Sequence, residues 1–253
     1  MSNILSKQLK IRLDQLLVNK NLADSKTKAQ SMIMAGQVLV NGKIITKSGN
    51  NINKDSNIII KQLHPKWVSR GSLKLLKAIK YFNIEIKNKT CLDIGSSTGG
   101  FSQVLLKYGA KKIFSVDVGT NQLHEKLQKE DKIISIENFN AKYLNNSIIS
   151  EKIDLVVCDV SFISLKKVIL PSIKLLSKNS EIIALIKPQF ETQKINLNKG
   201  VVKDEMIHDE VCNDIKNWFI ENCEAEVIGL IESPITGPKG NVEFLIYSLL
   251  KKS

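Results

Sequence analysis

With 253 residues, 43% of them apolar, the chain can build one large domain or an ordinary domain plus a small one, and wholesale disorder is excluded. The net charge of +12 is concentrated at one end: residues 1–80 hold 15 Lys+Arg against 3 Asp+Glu, whereas residues 81–253 hold 22 of each. A basic segment joined to a neutral body points to a grip on a polyanion, because a uniformly lysine-rich surface would have spread the excess.

No apolar run approaches the length of a membrane helix, and the opening stretch MSNILSKQLKIRLDQ lacks the sustained apolar core of a signal peptide. The expectation is a cytoplasmic protein with no membrane partner. Four cysteines form no Cys-x-x-Cys pair and only three histidines are present, so no metal site is expected.

In chain order, Leu13, Leu16 and Leu17 have helical spacing. Ser25 can cap a second helix through Ala29 and Ile33 that stops at Gly36. VLVNGKII then reads as a hairpin turning at Asn41-Gly42, and NIII (57–60) as another strand. The order RLDQLL…KAQSMIMAGQVLVNGK resembles the small RNA-binding domain named after ribosomal protein S-four. That resemblance implies a domain over 1–62, with Arg12, Lys26, Lys28 and Gln37 near RNA backbone. Arg12 and Arg70 are the only arginines among 37 basic residues. Where lysine is the default, arginine marks a need for a planar fork, so Arg70 joins the RNA-contacting set. A linker is expected over 63–69, where Pro65 disfavours helix and Trp67 is read as packing between the two parts.

From residue 70 the pattern alternates. A helix over 70–82 leads to the strand KTCLDIG, followed by helix 98–109, strand 112–117, a short helix at 122–130 and strand 133–137. Strand 153–158, helix 164–178, strand 180–187, helix 205–222 and strands 225–232 and 241–249 complete the chain. Such alternation predicts an α/β domain over 70–253, Rossmann-like, with a mostly parallel sheet and an antiparallel hairpin at its edge. QFETQKINLNKGVVKDEM (189–206) reads as a mobile loop.

Three strands end on an aspartate. CLDIGSSTGGF places Asp93 before a small-residue turn made of Gly95, Ser96, Ser97, Gly99, Gly100 and Phe101. A dinucleotide site would call for G-x-G-x-x-G. A carboxylate before the turn suits a cationic ligand instead, and S-adenosyl-L-methionine carries a sulfonium and an ammonium. Asp117, 24 residues on, ends the next strand and is placed to accept from ribose hydroxyls. Asp159 ends IDLVVCD, and the apolar run Ile182–Ile186 ends in Lys187 followed by Pro188. A lysine there is costly unless something receives its charge. The carboxyl ends of parallel strands meet at one crevice, so Asp93, Asp117, Asp159 and Lys187 are expected to share a cleft.

The set SRGSLKL, DIGSSTGGF, CDVSF, IKPQFE and GPKGNVEFLIY behind the basic segment is similar to the TlyA family of ribosomal RNA 2'-O-methyltransferases, with an FtsJ-like catalytic domain. The resemblance implies a seven-stranded methyltransferase fold and a Lys-Asp-Lys-Glu tetrad, matched here by Lys74, Asp159, Lys187 and Glu243. It also implies S-adenosyl-L-methionine as cofactor and ribosomal RNA or ribosomal subunits as partner. The expected target is a cytidine ribose in large-subunit RNA and, in some members, the small subunit. Oligomeric state stays open. Lys187 would act as base or steer the 2'-OH, with the nearby Lys74 ammonium pushing it toward neutrality. The family's junction usually carries Arg-x-Trp-Val where this chain has Pro65-Lys66-Trp67-Val68. Two other classes compete: an RNA-binding assembly factor that keeps the fold, and a membrane-active protein, as the family's older hemolysin label suggests.

Overall fold

The structure is a computed structural model that describes residues 10–34, 36–60 and 67–251. The chain divides into two compact units, Met1–Pro65 and Lys66–Ser253. Residues 61–66 lie outside the described residues, and with them 63–66 of the expected junction, Pro65 and Lys66 included.

In the first unit, β1 (Lys10–Arg12) runs into α1 (Leu13–Asn19), and α2 (Lys26–Met34) follows. Then come β2 (Val38–Val40), β3 (Lys43–Ile44), β4 (Asn51–Asn53) and β5 (Ile58–Ile60). The Ser25 hydroxyl accepts the Lys28 N–H at 3.1 Å, which starts α2 as its sequence predicts. Asn41 and Gly42 both have positive φ, the requirement of a tight hairpin turn between β2 and β3. Leu13, Leu17, Ala29, Ile33 and Val38 close the small core.

The second unit begins with α3 (Ser72–Phe82), β6 (Thr90–Ile94), α4 (Gly100–Lys107) and β7 (Lys112–Val116). Next are α5 (Glu125–Gln128), β8 (Ile133–Ile136), β9 (Ile153–Cys158) and α6 (Leu165–Ser172). β10 (Leu176–Ile186), the short α7 (Pro188–Glu191), α8 (Glu205–Cys223), β11 (Ala225–Glu232) and β12 (Phe244–Lys251) end the chain. The seven strands form one sheet in the order β11-β12-β10-β9-β6-β7-β8. Strands β10, β9, β6, β7 and β8 are parallel, while β12 is antiparallel to β10 and to β11. Strand order reverses between β6 and β9, which places the ligand crevice at their carboxyl ends.

Side-chain alternation splits the sheet into two faces. Leu92, Val156, Ile182 and Ala184 pack with Val211, Ile215 and Phe219 of α8. Cys91, Leu155, Val157, Ile183, Leu185 and Leu245 pack with Leu75 and Ala78 of α3 and Val104 of α4. Burying each such aliphatic contributes about 1.5–3 kcal/mol.

Four elements differ from expectation. Pro171 stands inside α6, which ends at Ser172, and β10 starts at Leu176, earlier than the apolar run suggested. The helix expected at 122–130 shrinks to α5 because Glu137 holds the N–H groups of Asn121, Gln122 and Leu123 in a turn. Segment 189–206 carries the end of α7, a 3-10 turn at Lys194–Asn196 and a bridge between Asn198 and Val201. Trp67 packs against the α3 side of the second unit's core.

Candidate active site

Alternation decides which side chains meet. Asp93, Asp159 and Lys187 continue the odd-numbered series of β6, β9 and β10, and Glu243 precedes Leu245 and Tyr247 of β12. All four belong to the face covered by α3 and α4. The helix α3 contributes Lys74 through the same surface that buries Leu75 and Ala78. Pro188 at the first position of α7 ends β10 and leaves Lys187 extended at its tip.

The result is one chain of charges. Lys187 Nζ lies 2.5 Å from Asp159 Oδ1, and Lys74 Nζ lies 3.0 Å from Asp159 Oδ2 and 2.8 Å from Glu243 Oε2. Lys187 also donates to Ser161 Oγ at 2.9 Å. Lys74, Lys187 and Glu243 are buried at 7%, 6% and 1% exposure, so the charges are held by each other rather than by water. Burial pulls the Lys74 ammonium down, but Asp159 and Glu243 outweigh it and raise its pKa above the ordinary lysine value. Burial would raise Asp159, yet the two ammonium groups hold it well below the usual carboxylate range.

Asp159 lies between Lys74 and Lys187, and Glu243 pairs with Lys74 on its other side. The two lysines are far apart in sequence and are brought together by the fold, each against one oxygen of Asp159.

The glycine turn abuts this cluster. A Cβ on Gly95, whose φ is +80°, would come within 2.7 Å of the Asp159 carbonyl oxygen, so only glycine lets the turn approach that backbone. Gly99 has φ +89° and lies under Leu123 and Leu127. Asp93 accepts from Ser102 Oγ at 2.6 Å, while its buried Oδ1 has no hydrogen-bond partner among the described residues. Burial raises Asp93 to about 7, partly offset by the Ser102 hydrogen bonds. Asp117 accepts the N–H groups of Ser97 and Gly119, both at 2.8 Å, and two carboxylate oxygens retain capacity beyond these. Ser96 is buried, Ser97 is exposed, and Gly100 and Phe101 enter the packing of α4, Phe101 within the core.

The residues expected near RNA are distributed over both units. Lys26 and Lys28 are exposed on α2, Gln37 is half-buried before β2, and Arg70 is half-buried ahead of α3. Arg12 directs its fork at the buried Asp14, at 3.1 and 2.7 Å, so it anchors its own unit.

Several contributors escaped the sequence reading. Gly237 lies so close to Glu243 that a Cβ would come within 2.1 Å of Oε1. Gly237→Ala is therefore expected to displace Glu243, costing about 1–3 kcal/mol of stability and lowering any activity that needs the cluster; thermal melting beside an activity assay would check it. Asn241, 3% exposed, bonds Val202, Gly200 and Pro238 and fixes the strap leading to Glu243. Phe162 is 91% exposed with φ +66°, a left-handed backbone that a bulky side chain rarely adopts.

A mostly parallel seven-stranded sheet in this order, with acidic strand ends and a glycine turn at the crevice, defines a Rossmann-like methyltransferase. Residues 67–249 match the FtsJ-like methyltransferase family and residues 11–58 match the S4 domain. The chain belongs to the FtsJ-like methyltransferases and carries an N-terminal S4 domain. Hemolysin A of Brachyspira hyodysenteriae is 40% identical over 95% of this chain and 100% of its own. The 16S/23S rRNA (cytidine-2'-O)-methyltransferase TlyA of Mycobacterium tuberculosis is 34% identical over 93% of this chain and 88% of its own. A solved structure of a candidate hemolysin from Streptococcus thermophilus superposes with TM-score 0.76 at 36% identity, covering 97% of this chain and 90% of that one.

Proposed function

We propose that the protein transfers the methyl group of S-adenosyl-L-methionine to the 2'-oxygen of a cytidine ribose in ribosomal RNA of the large subunit, with a small-subunit site as a second target. The observation that carries this reading is the charge chain Lys187–Asp159–Lys74–Glu243 set against the glycine turn at Gly95. The name and target of the Mycobacterium tuberculosis relative support the choice of RNA and nucleoside. The S4 domain and the lysine excess of residues 1–80 supply the RNA grip, through Lys26, Lys28 and Gln37 in the first unit and Arg70 in the second.

The turn residues fit the cofactor. The partnerless Oδ1 of Asp93 suits a cation, Gly95 and Gly99 permit close backbone approach, and Asp117 keeps acceptor capacity for ribose hydroxyls. When bound, S-adenosyl-L-methionine supplies an activated methyl group. The chain's own residues manage the nucleophile. Lys187, fixed by Asp159 and Ser161, steers the 2'-hydroxyl, and once its ammonium has released one proton to solvent the neutral amine receives the hydroxyl proton as the oxygen attacks. Lys74 and Glu243 keep Asp159 ionised and immobile. The rest of the rate enhancement comes from alignment.

A pH dependence follows from Asp93. A folded-state pKa near 7, above the ordinary carboxylate value, means this group's contribution to stability is full below the ordinary value and lost as pH rises through 7. A bound cation favours the carboxylate. Affinity for S-adenosyl-L-methionine is therefore expected to fall by about tenfold per unit below pH 7 and to level off above pH 8. Titration calorimetry from pH 6 to 8.5 would measure it. A flat profile would remove Asp93 from the cation's surroundings, and Asp93→Asn should abolish the slope.

The hemolysin name of one relative motivates a membrane-active alternative, but among the described residues no helix is long and apolar enough to cross a membrane. Incubation with tritiated methyl donor and separated ribosomal subunits decides between readings. Label in subunit RNA supports the transferase. Lysis of cells without methyl donor, and no label in RNA, would support the alternative.

A further inference from the structure

Two segments leave the carboxyl edge of the sheet side by side. Residues 159–165 follow β9, and residues 187–191 follow β10. Beyond the Lys187–Asp159 ion pair, three contacts join them: Lys187 Nζ donates to Ser161 Oγ at 2.9 Å, and the rings of Phe162 and Phe190 lie 5.1 Å apart. The third is Glu191, whose Oε2 accepts from Ser164 Oγ at 2.7 Å and whose Oε1 accepts the Leu165 N–H at 2.6 Å.

The third contact is unusual in its source. Ser164 is the N-cap residue of α6, and a serine there ordinarily turns its own oxygen to the first-turn N–H groups. Here Ser164 makes no such cap, and a carboxylate 27 positions later takes both its hydroxyl and the first helical N–H. The helix is thus capped by the very segment that carries Lys187. Burial raises the pKa of Glu191, countered by these same two hydrogen bonds, so the carboxylate is drawn inward only because they receive it.

Between the two tethers lies Phe162 with its left-handed backbone and exposed ring. Its neighbours are tied from the other segment, Ser161 by Lys187 and Ser164 by Glu191, and its own ring meets Phe190.

We propose that Glu191 is a positioning residue: it locks the segment bearing Asp159, Ser161 and Phe162 in register with Lys187, so that the charge cluster is set before substrate arrives. The inference rests on the methyl-transfer reading for its kinetic consequence. The tether itself can be tested without activity.

The test uses the full-length protein, with Glu191→Ala, Glu191→Gln and Ser164→Ala. In Glu191→Ala, kcat is expected to fall by about 10–100-fold, the scale of misplacing a catalytic group by about 1 Å. Affinity for S-adenosyl-L-methionine should stay within about threefold, because the glycine turn is untouched. Hydrogen exchange should show lost protection at 160–165 with residues 91–94 unchanged. Glu191→Gln keeps one acceptor for the Leu165 N–H and should recover part of the loss, and it serves as the working variant where the alanine change does not fold. Ser164→Ala combined with Glu191→Ala should be no worse than Glu191→Ala alone.

Unchanged protection at 160–165 would overturn the inference whatever the activity. So would an unchanged kcat in Glu191→Ala, or a loss of kcat matched by equal losses of cofactor binding and of protection across β6 and β9. A wild-type protein that transfers no methyl group would instead contradict the methyl-transfer reading, while the exchange result would still decide whether the tether exists.

Discussion

Replacing Lys187 by alanine is expected to lower methyl transfer by about 10²- to 10⁴-fold, the range for loss of a positioned proton-transfer group. Binding of S-adenosyl-L-methionine should change by no more than about threefold. The separation follows from geometry. Lys187 belongs to the charge cluster, whereas the glycine turn is held by Gly95, Asp117 and the packing of Gly99. The folded protein should tolerate the change, because Asp159 keeps Lys74 and Lys74 keeps Glu243. Single-turnover rates beside calorimetric cofactor affinity would measure both. Parallel loss of transfer and binding would contradict the role given to Lys187.

Asp159→Ala is expected to act on stability as well as on transfer. It removes the group between two buried ammonium ions and leaves Lys187 with Ser161 alone. Breaking a buried pair in this way costs about 3–5 kcal/mol, chiefly as the desolvation of the charge left behind. For a domain of this size that corresponds to a fall of about 10 °C in melting temperature. A second substitution separates the terms. Adding Lys187→Ala removes the stranded ammonium, so the double variant should melt at or above the temperature of Asp159→Ala alone. Additive losses would mean that the cluster is not the coupled unit its distances imply. Melting curves on the four proteins of this cycle would check it.

Much of the fold was legible because the sheet is buried on both faces. Runs such as Ile182–Ile186 and Leu155–Cys158 announce central strands, and the glycine turn after Asp93 announces the crevice. Legibility failed where pairing, not composition, fixes the structure. Residues 176–181 of β10 are mostly polar, and from Asn179 onward β12 holds them extended. Helix α6 ends early around Pro171, and α5 is short because a carboxylate from the end of β8 takes the preceding amides.

The site divides in the same way. Alternation along each strand puts Asp93, Asp159, Lys187 and Glu243 on one face, and that much follows from residue parity. That Asp159 faces Lys74 as well as Lys187 does not. The distance between Lys74 and Lys187 along the chain says nothing of the Asp159 side chain between them. The tether of Glu191 to Ser164 and the room that Gly237 leaves for Glu243 are likewise facts of packing.

The central claim is that the methylated atom is a ribose oxygen and that Lys187 serves its transfer. The most direct measurement is alkaline hydrolysis of RNA labelled by the wild-type protein and by Lys187→Ala. A 2'-O-methyl group blocks cleavage at its own phosphodiester. The expected result is wild-type label in an alkali-resistant dinucleotide with cytidine at its 5' position, and no such product from the variant. Label recovered in single nucleotides would place the methyl group on a base and contradict the account.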